Sequence, residues 1–215
     1  MTVEVKICGL STPESVAAAI EAGADFVGFV FFPKSPRNVT PERAAQLAEA
    51  ARGKVAIVAL VVDADDALLT HINDTLDPDF IQAHGSETPE RVADIERFTG
   101  KPVIKAIKVR DAADVASAAA YSDVASLILY DAKAPETLGN ALPGGNGHAF
   151  DWALLDGKKR PAFMLAGGLT PDNVADAIRD TGAPMVDVSS GVESAPGIKD
   201  IGLIRKFIEA AKSAR

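Results

Sequence analysis

The chain has 215 residues, 47% apolar and 24% charged, a soluble globular balance with material for one sizeable core. No apolar run approaches the ~20 residues of a membrane span, and a formal net charge of −8 lacks the basic footprint of non-specific nucleic-acid binding. The single cysteine, Cys8, excludes an internal disulfide framework and argues against a cysteine-rich metal site.

The length suits one barrel-type domain over 1–215 better than two ordinary domains. The start, Met1–Lys6, has no charged segment followed by a long apolar stretch, so we expect no secretory signal and a cytoplasmic location. An anionic ligand would have to bind through local donors, because the global charge repels it.

In chain order, a strand is predicted over Val3–Cys8. A helix then starts at Thr12-Pro13-Glu14 and closes at Gly23. Threonine can cap the first turn, proline fits the first helical position, and the acid complements the positive end of the helix dipole. Strands follow at Phe26–Phe31 and Val55–Val62, with a second helix start at Thr40-Pro41-Glu42 between them. The fourth strand is Phe80–His84, then a helix from Thr88-Pro89-Glu90 to Gly100, then a strand over Val103–Lys108. Asp111 can cap the next helix, before a strand over Ala125–Asp131. The irregular segment 132–150 is long for a loop of this kind, and such loops are usually functional or flexible. Asp151 can cap a short helix. A strand over Ala162–Ala166 precedes a helix start at Thr170-Pro171-Asp172 and a stop at Gly182. The last strand is Met185–Ser189, and a helix over Ile201–Ala211 closes the chain. Strand and helix in steady alternation imply a parallel sheet, and eight repeats fit an α/β fold of the single (β/α)8 TIM-barrel type. A doubly wound open sheet is the alternative. A G-x-G-x-x-G turn after an early strand would favour it, and the sequence has none.

In a parallel barrel, active groups lie at the carboxyl ends of the strands. Cys8 ends the first strand, on the face shared with Glu4 and Lys6, so it points into the mouth. A buried cysteine acting as a small hydrophobe is the bland alternative. To serve as a base, its thiol must titrate below the ordinary value of about 8.5, and Lys6 is one source of positive potential. Asp131 ends the sixth strand beneath an apolar inward face, where desolvation would raise its pKa and suit a general acid. A loop-bonding aspartate is the alternative. Arg37 lies in FPKSPRNV, a loop stiffened by two prolines, where its fork could hold a carboxylate or simply face solvent. Gln82 and His84 share the inward face at the end of the fourth strand and are read as positioning a ligand. No metal site is expected, because no second ligand stands at the needed spacing. Gly167 and Gly168 after the seventh strand, with Ser190 and Gly191 after the eighth, fit a phosphate site built on backbone N–H groups. Two tight turns would also account for them. Asp187 should face inward beside a sugar.

The segments KICGL, GFVFFPKSPRNV, QAHG, PVIKAIKV, YDAKAP, GGNGHAFDW, LAGGLTPDNV and VDVSSGVESAPGIKD, in this order and over nearly the whole chain, resemble the phosphoribosylanthranilate isomerase family of tryptophan biosynthesis. The resemblance implies an Amadori rearrangement of a small phosphorylated substrate, with Cys8 as general base and Asp131 as general acid. It further implies Arg37 on the anthranilate carboxylate, and Gly168 and Gly191 in the phosphate site. Such a rearrangement needs neither redox change nor metal, so no cofactor is expected. Ala83, Asp63, Asn146, His148 and Ala149 depart from the usual family pattern, and none is a proposed catalytic residue.

Two kinds of rival reading are weighed. A neighbouring phosphate-binding barrel of tryptophan or histidine synthesis would carry an aspartate in place of Cys8, or a lysine and glutamate array for ring closure. A non-catalytic phosphosugar-binding barrel would be expected to have lost Cys8 or Asp131. No apolar stripe decides between a monomer and a homodimer.

Overall fold

A computed structural model of the chain describes residues 2–132, 150–155 and 162–214. Eight parallel strands close into a barrel in chain order: β1 (Glu4–Cys8), β2 (Phe26–Phe31), β3 (Ala56–Val61), β4 (Phe80–Ala83), β5 (Val103–Val109), β6 (Leu127–Ala132), β7 (Phe163–Leu165) and β8 (Met185–Val188). The helices among the described residues are α1 (Pro13–Ala22), α2 (Pro41–Ala48), α3 (Asp66–Leu76), α4 (Pro89–Thr99), α5 (Ala112–Ser117), α6 (Val174–Thr181) and α7 (Ile201–Lys212). An antiparallel hairpin, β9 (Glu193–Ala195) with β10 (Ile198–Lys199), follows β8 and was not predicted. Most of the predicted long segment, with Asn146, His148 and Ala149, lies outside the described residues.

The helix starts follow local chemistry. The hydroxyls of Thr12, Thr40 and Thr88 accept from the N–H groups of Ser15, Arg43 and Arg91. Asp111 caps α5, and Asp151 accepts from Ala153 N at the single turn Trp152–Leu155. Gly23, Gly100 and Gly182 close α1, α4 and α6. Thr170 corrects the prediction: it caps nothing, and α6 starts later, at Val174. The side chain of Asn173 closes the turn instead, accepting from Thr170 N (2.8 Å) and donating to Gly168 O (3.0 Å). Asp63 takes a left-handed backbone (φ 48°), which a short polar side chain tolerates.

Alternation along the strands separates two cores. Outward residues such as Val5, Ile7, Ile57 and Ile81 pack under the helices. Inward residues Val58, Ile104, Ala106, Leu129, Met164 and Met185 fill the barrel with Phe26 and Phe80, whose rings meet edge to face at 5.9 Å. The interior is therefore packed, and polar side chains find room only above it, at the mouth. The register brings them there in pairs: Lys6 beside Asp187, Cys8 beside Gly28, and Lys108 beside Asp131. No described helix is long and apolar enough to cross a membrane.

Candidate active site

Cys8 closes β1 at the mouth, 3% exposed, against Val30 and Leu60. Lys6, two residues below on the same face, is fully buried, and its Nζ donates to Asp187 Oδ1 at 3.0 Å. Burial opposes the Lys6 charge, yet Asp187 and Cys8 together hold its pKa above the ordinary value. For Cys8 the balance is reversed. Burial pushes the thiol up, Lys6 is the strongest opposing influence, and Asp187 reinforces burial. The lowering that a base would need is therefore absent in the free protein: desolvation of the thiolate outweighs the lysine. Asp187, read as a sugar-side residue, spends one oxygen on Lys6.

The end of β4 faces the end of β6. His84 Nε2 lies 3.0 Å from Asp131 Oδ2, and Gln82 Nε2 lies 2.8 Å from His84 Nδ1. With the amide N–H on Nδ1, a neutral ring carries its proton on Nε2, facing the carboxylate. His84 and Gln82 thus form a chain behind Asp131. Gln82 Oε1 is buried with no hydrogen-bond partner among the described residues.

Arg37 is buried, not solvated. Its Nε and Nη2 donate to Glu193 Oε1 (2.7 Å) and Oε2 (2.8 Å) in a bidentate pair. Lys199 Nζ donates to the same Oε1 (2.7 Å) and to Ser189 O (2.9 Å), and Ser189 Oγ donates to Cys8 O (3.1 Å). Burial alone would raise Glu193, but Arg37 and Lys199 hold its carboxyl below the ordinary range. The hairpin thus ties the β2 loop to the ends of β8 and β1. Sequence reading missed Glu193 and Lys199. The available signal was two oppositely charged residues six apart in a short Gly-Pro segment directly after a barrel strand.

Gly167, Gly168, Ser190 and Gly191 are half-buried at the ends of β7 and β8. A Cβ on Gly167 would overlap the Ala132 backbone, and one on Gly191 would overlap Leu169 O. Close approach of neighbouring loops therefore requires glycine at both positions, whatever else their N–H groups do. Among the described residues, no three His, Cys, Asp or Glu side chains are grouped so as to hold a metal ion.

Residues 5–210 match the family model of N-(5'-phosphoribosyl)anthranilate isomerase. The chain belongs to that family. A relative of that name from Paramagnetospirillum magneticum is 56% identical over 100% of both chains. The crystal structure of phosphoribosylanthranilate isomerase from Thermotoga maritima superposes with a TM-score of 0.87, at 37% identity and 98% coverage of both chains. A second Thermotoga maritima structure, of monomers generated from the dimeric isomerase, has a TM-score of 0.83 at 34% identity and 98% coverage of both chains.

Proposed function

We propose that the chain converts N-(5'-phosphoribosyl)anthranilate to 1-(o-carboxyphenylamino)-1-deoxyribulose 5-phosphate, an Amadori rearrangement in tryptophan biosynthesis. The observation that carries the reading is one thiol and one hydrogen-bonded carboxyl at the mouth of a closed barrel, with only β7 and β8 between their strands. In this reading Asp131 protonates the ribose ring oxygen. The C1'–O bond breaks, and the anilino nitrogen supplies its lone pair to give an iminium. Cys8 as thiolate removes the C2' proton, and that electron pair forms the enolamine. Protonation at C1' and loss of the hydroxyl proton give the ketone, so no atom is gained or lost overall. The iminium charge favours the thiolate at the step that needs it, which offsets the burial of Cys8.

The remaining residues divide by charge. Arg37, oriented by Glu193, takes the anthranilate carboxylate, and Asp187 lies on the sugar side. Backbone N–H groups of Gly167, Gly168, Ser190 and Gly191 face the phosphate. Gln82 and His84 act behind Asp131 rather than on the ligand directly. Family membership supports a cytoplasmic enzyme, monomer or homodimer, working on this small phosphorylated substrate.

The test is a coupled assay with freshly made phosphoribosylanthranilate, following the loss of its fluorescence. Asp131→Asn keeps shape but cannot donate as an acid. It should abolish turnover while calorimetric binding of a stable product analogue survives. A wild-type protein that binds the analogue and never turns over substrate would favour the non-catalytic barrel.

A further inference from the structure

Lys6 is among the largest fully buried side chains of the described residues, and it lies two residues below Cys8 on the same strand face. A buried ion pair is a weak source of stability. Desolvating both charges is costly, and an apolar side chain of similar size commonly does as well. Its place next to the thiol gives it a use. In the β1–β2 register, Cys8 lies beside Gly28 and Lys6 beside Phe26. A Cβ on Gly28 would stand 3.1 Å from Cys8 Sγ and 3.2 Å from Lys6 Nζ. The gap left by this glycine is where the ammonium and the thiol converge. Asp187, adjacent in the β1–β8 register, anchors the ammonium from the far side at 3.0 Å.

We propose that Lys6, anchored by Asp187 and admitted by Gly28, is a positioning residue for Cys8 that sets how readily the thiol ionises. Naming Cys8 the base rests on the function proposed above; the coupling itself does not. Among the described residues the charged groups that act most on Cys8 are Lys6 on β1, Asp187 on β8 and Lys199 on β10 of the hairpin. Lys6 and Lys199 favour the thiolate, and Asp187 opposes it, as does burial. Lys6 and Asp187 are hydrogen-bonded to one another, and as cation and anion they act on the thiol with opposite signs.

Cys8 is the only thiol in the chain, so titration of the whole protein reads this one group. Thiolate absorbance in the ultraviolet and the rate of alkylation by iodoacetamide are measured against pH, without substrate. Circular dichroism first establishes that each variant is folded. Lys6→Met should raise the apparent pKa by about one unit or more, a tenfold loss of thiolate at fixed pH. Asp187→Asn should lower it. An unmoved titration in Lys6→Met, or shifts of the same sign in both variants, overturns the proposal. If Lys6→Met does not fold, Asp187→Asn decides, and an unmoved or upward shift there overturns it. Turnover is followed in parallel. An inactive wild-type protein whose thiol still responds in opposite directions sinks the isomerase reading and supports the coupling.

Discussion

Cys8 is held between a charge that favours its ionisation and a burial that opposes it, and burial prevails in the free protein. A serine there would be still harder to ionise. Cys8→Ser should keep the fold and the binding of a product analogue while kcat falls about 10²–10⁴-fold, the usual worth of a general base. Turnover near the native rate would remove Cys8 from the mechanism. Arg37 makes a different prediction, because its Nε–Nη2 edge is already occupied by Glu193. Arg37→Ala should weaken a carboxylate-bearing product analogue by about 2–5 kcal/mol, the cost of cutting one side of a buried charged pair. The analogue without the carboxylate should be nearly unaffected in an inhibition assay, and equal losses would defeat the carboxylate assignment. Neither prediction needed the structure for its residue. What was illegible in the sequence was the company these residues keep. Glu193 lies 156 positions from Arg37, and no local pattern announces a contact of that span.

At the scale of elements, legibility follows how local the cause is. Thr12, Thr40 and Thr88 bond within their own first turns, so their helices could be read from three residues each. Thr170 shows the same letters and fails. A neighbouring Asn173 competes for the turn, and a side chain that bonds the backbone three residues back delays the helix. Strand faces were legible from alternation. The loop after β4, which holds His84 against Asp131, was not. It is fixed by Glu87, which accepts from Lys105 Nζ (2.7 Å), Asp63 N (2.9 Å) and Gly85 N (2.9 Å). Lys105 also donates to Gly85 O at 3.0 Å, and Tyr121 Oη donates to Glu87 O at 2.9 Å. Lys105 lies on the outward face of β5, opposite in parity to Ile104 and Ala106, so the pair braces the loop from behind. Lys105→Met leaves a carboxylate buried without its cation. It should cost about 3–5 kcal/mol in urea denaturation. A loss within experimental error would show that backbone N–H groups alone hold Glu87.

For the molecule as a whole, pH acts on the acid side of the fold and on the chemistry through different groups. Burial would raise Glu87 and Glu193, but Lys105 for the first, and Arg37 with Lys199 for the second, hold both carboxyls below the ordinary range. A carboxyl depressed in the folded state contributes stability above its unfolded value, about 4.3 for glutamate. That contribution is lost as pH falls through the lower folded value. These two carboxyls therefore withdraw their contribution to the fold below about pH 4–5. Activity is governed elsewhere. In the proposed mechanism the productive state has Asp131 protonated and Cys8 ionised, one of the two singly protonated states of the pair. Its share is constant between the two titrations and falls on both sides, which makes the profile of kcat/KM bell-shaped with the thiol on the alkaline limb. Burial raises Cys8, so that limb should lie above the ordinary thiol value of about 8.5. In Lys6→Met the limb should move further up while the plateau drops, because a less acidic thiol makes the productive state rarer. Position and height thus move in opposite directions from a single change. Measuring kcat/KM and the circular dichroism signal of the same samples across pH separates this from unfolding. An alkaline limb unmoved in Lys6→Met, or one that tracks loss of helical signal in the wild type, would remove the thiol from the pH profile.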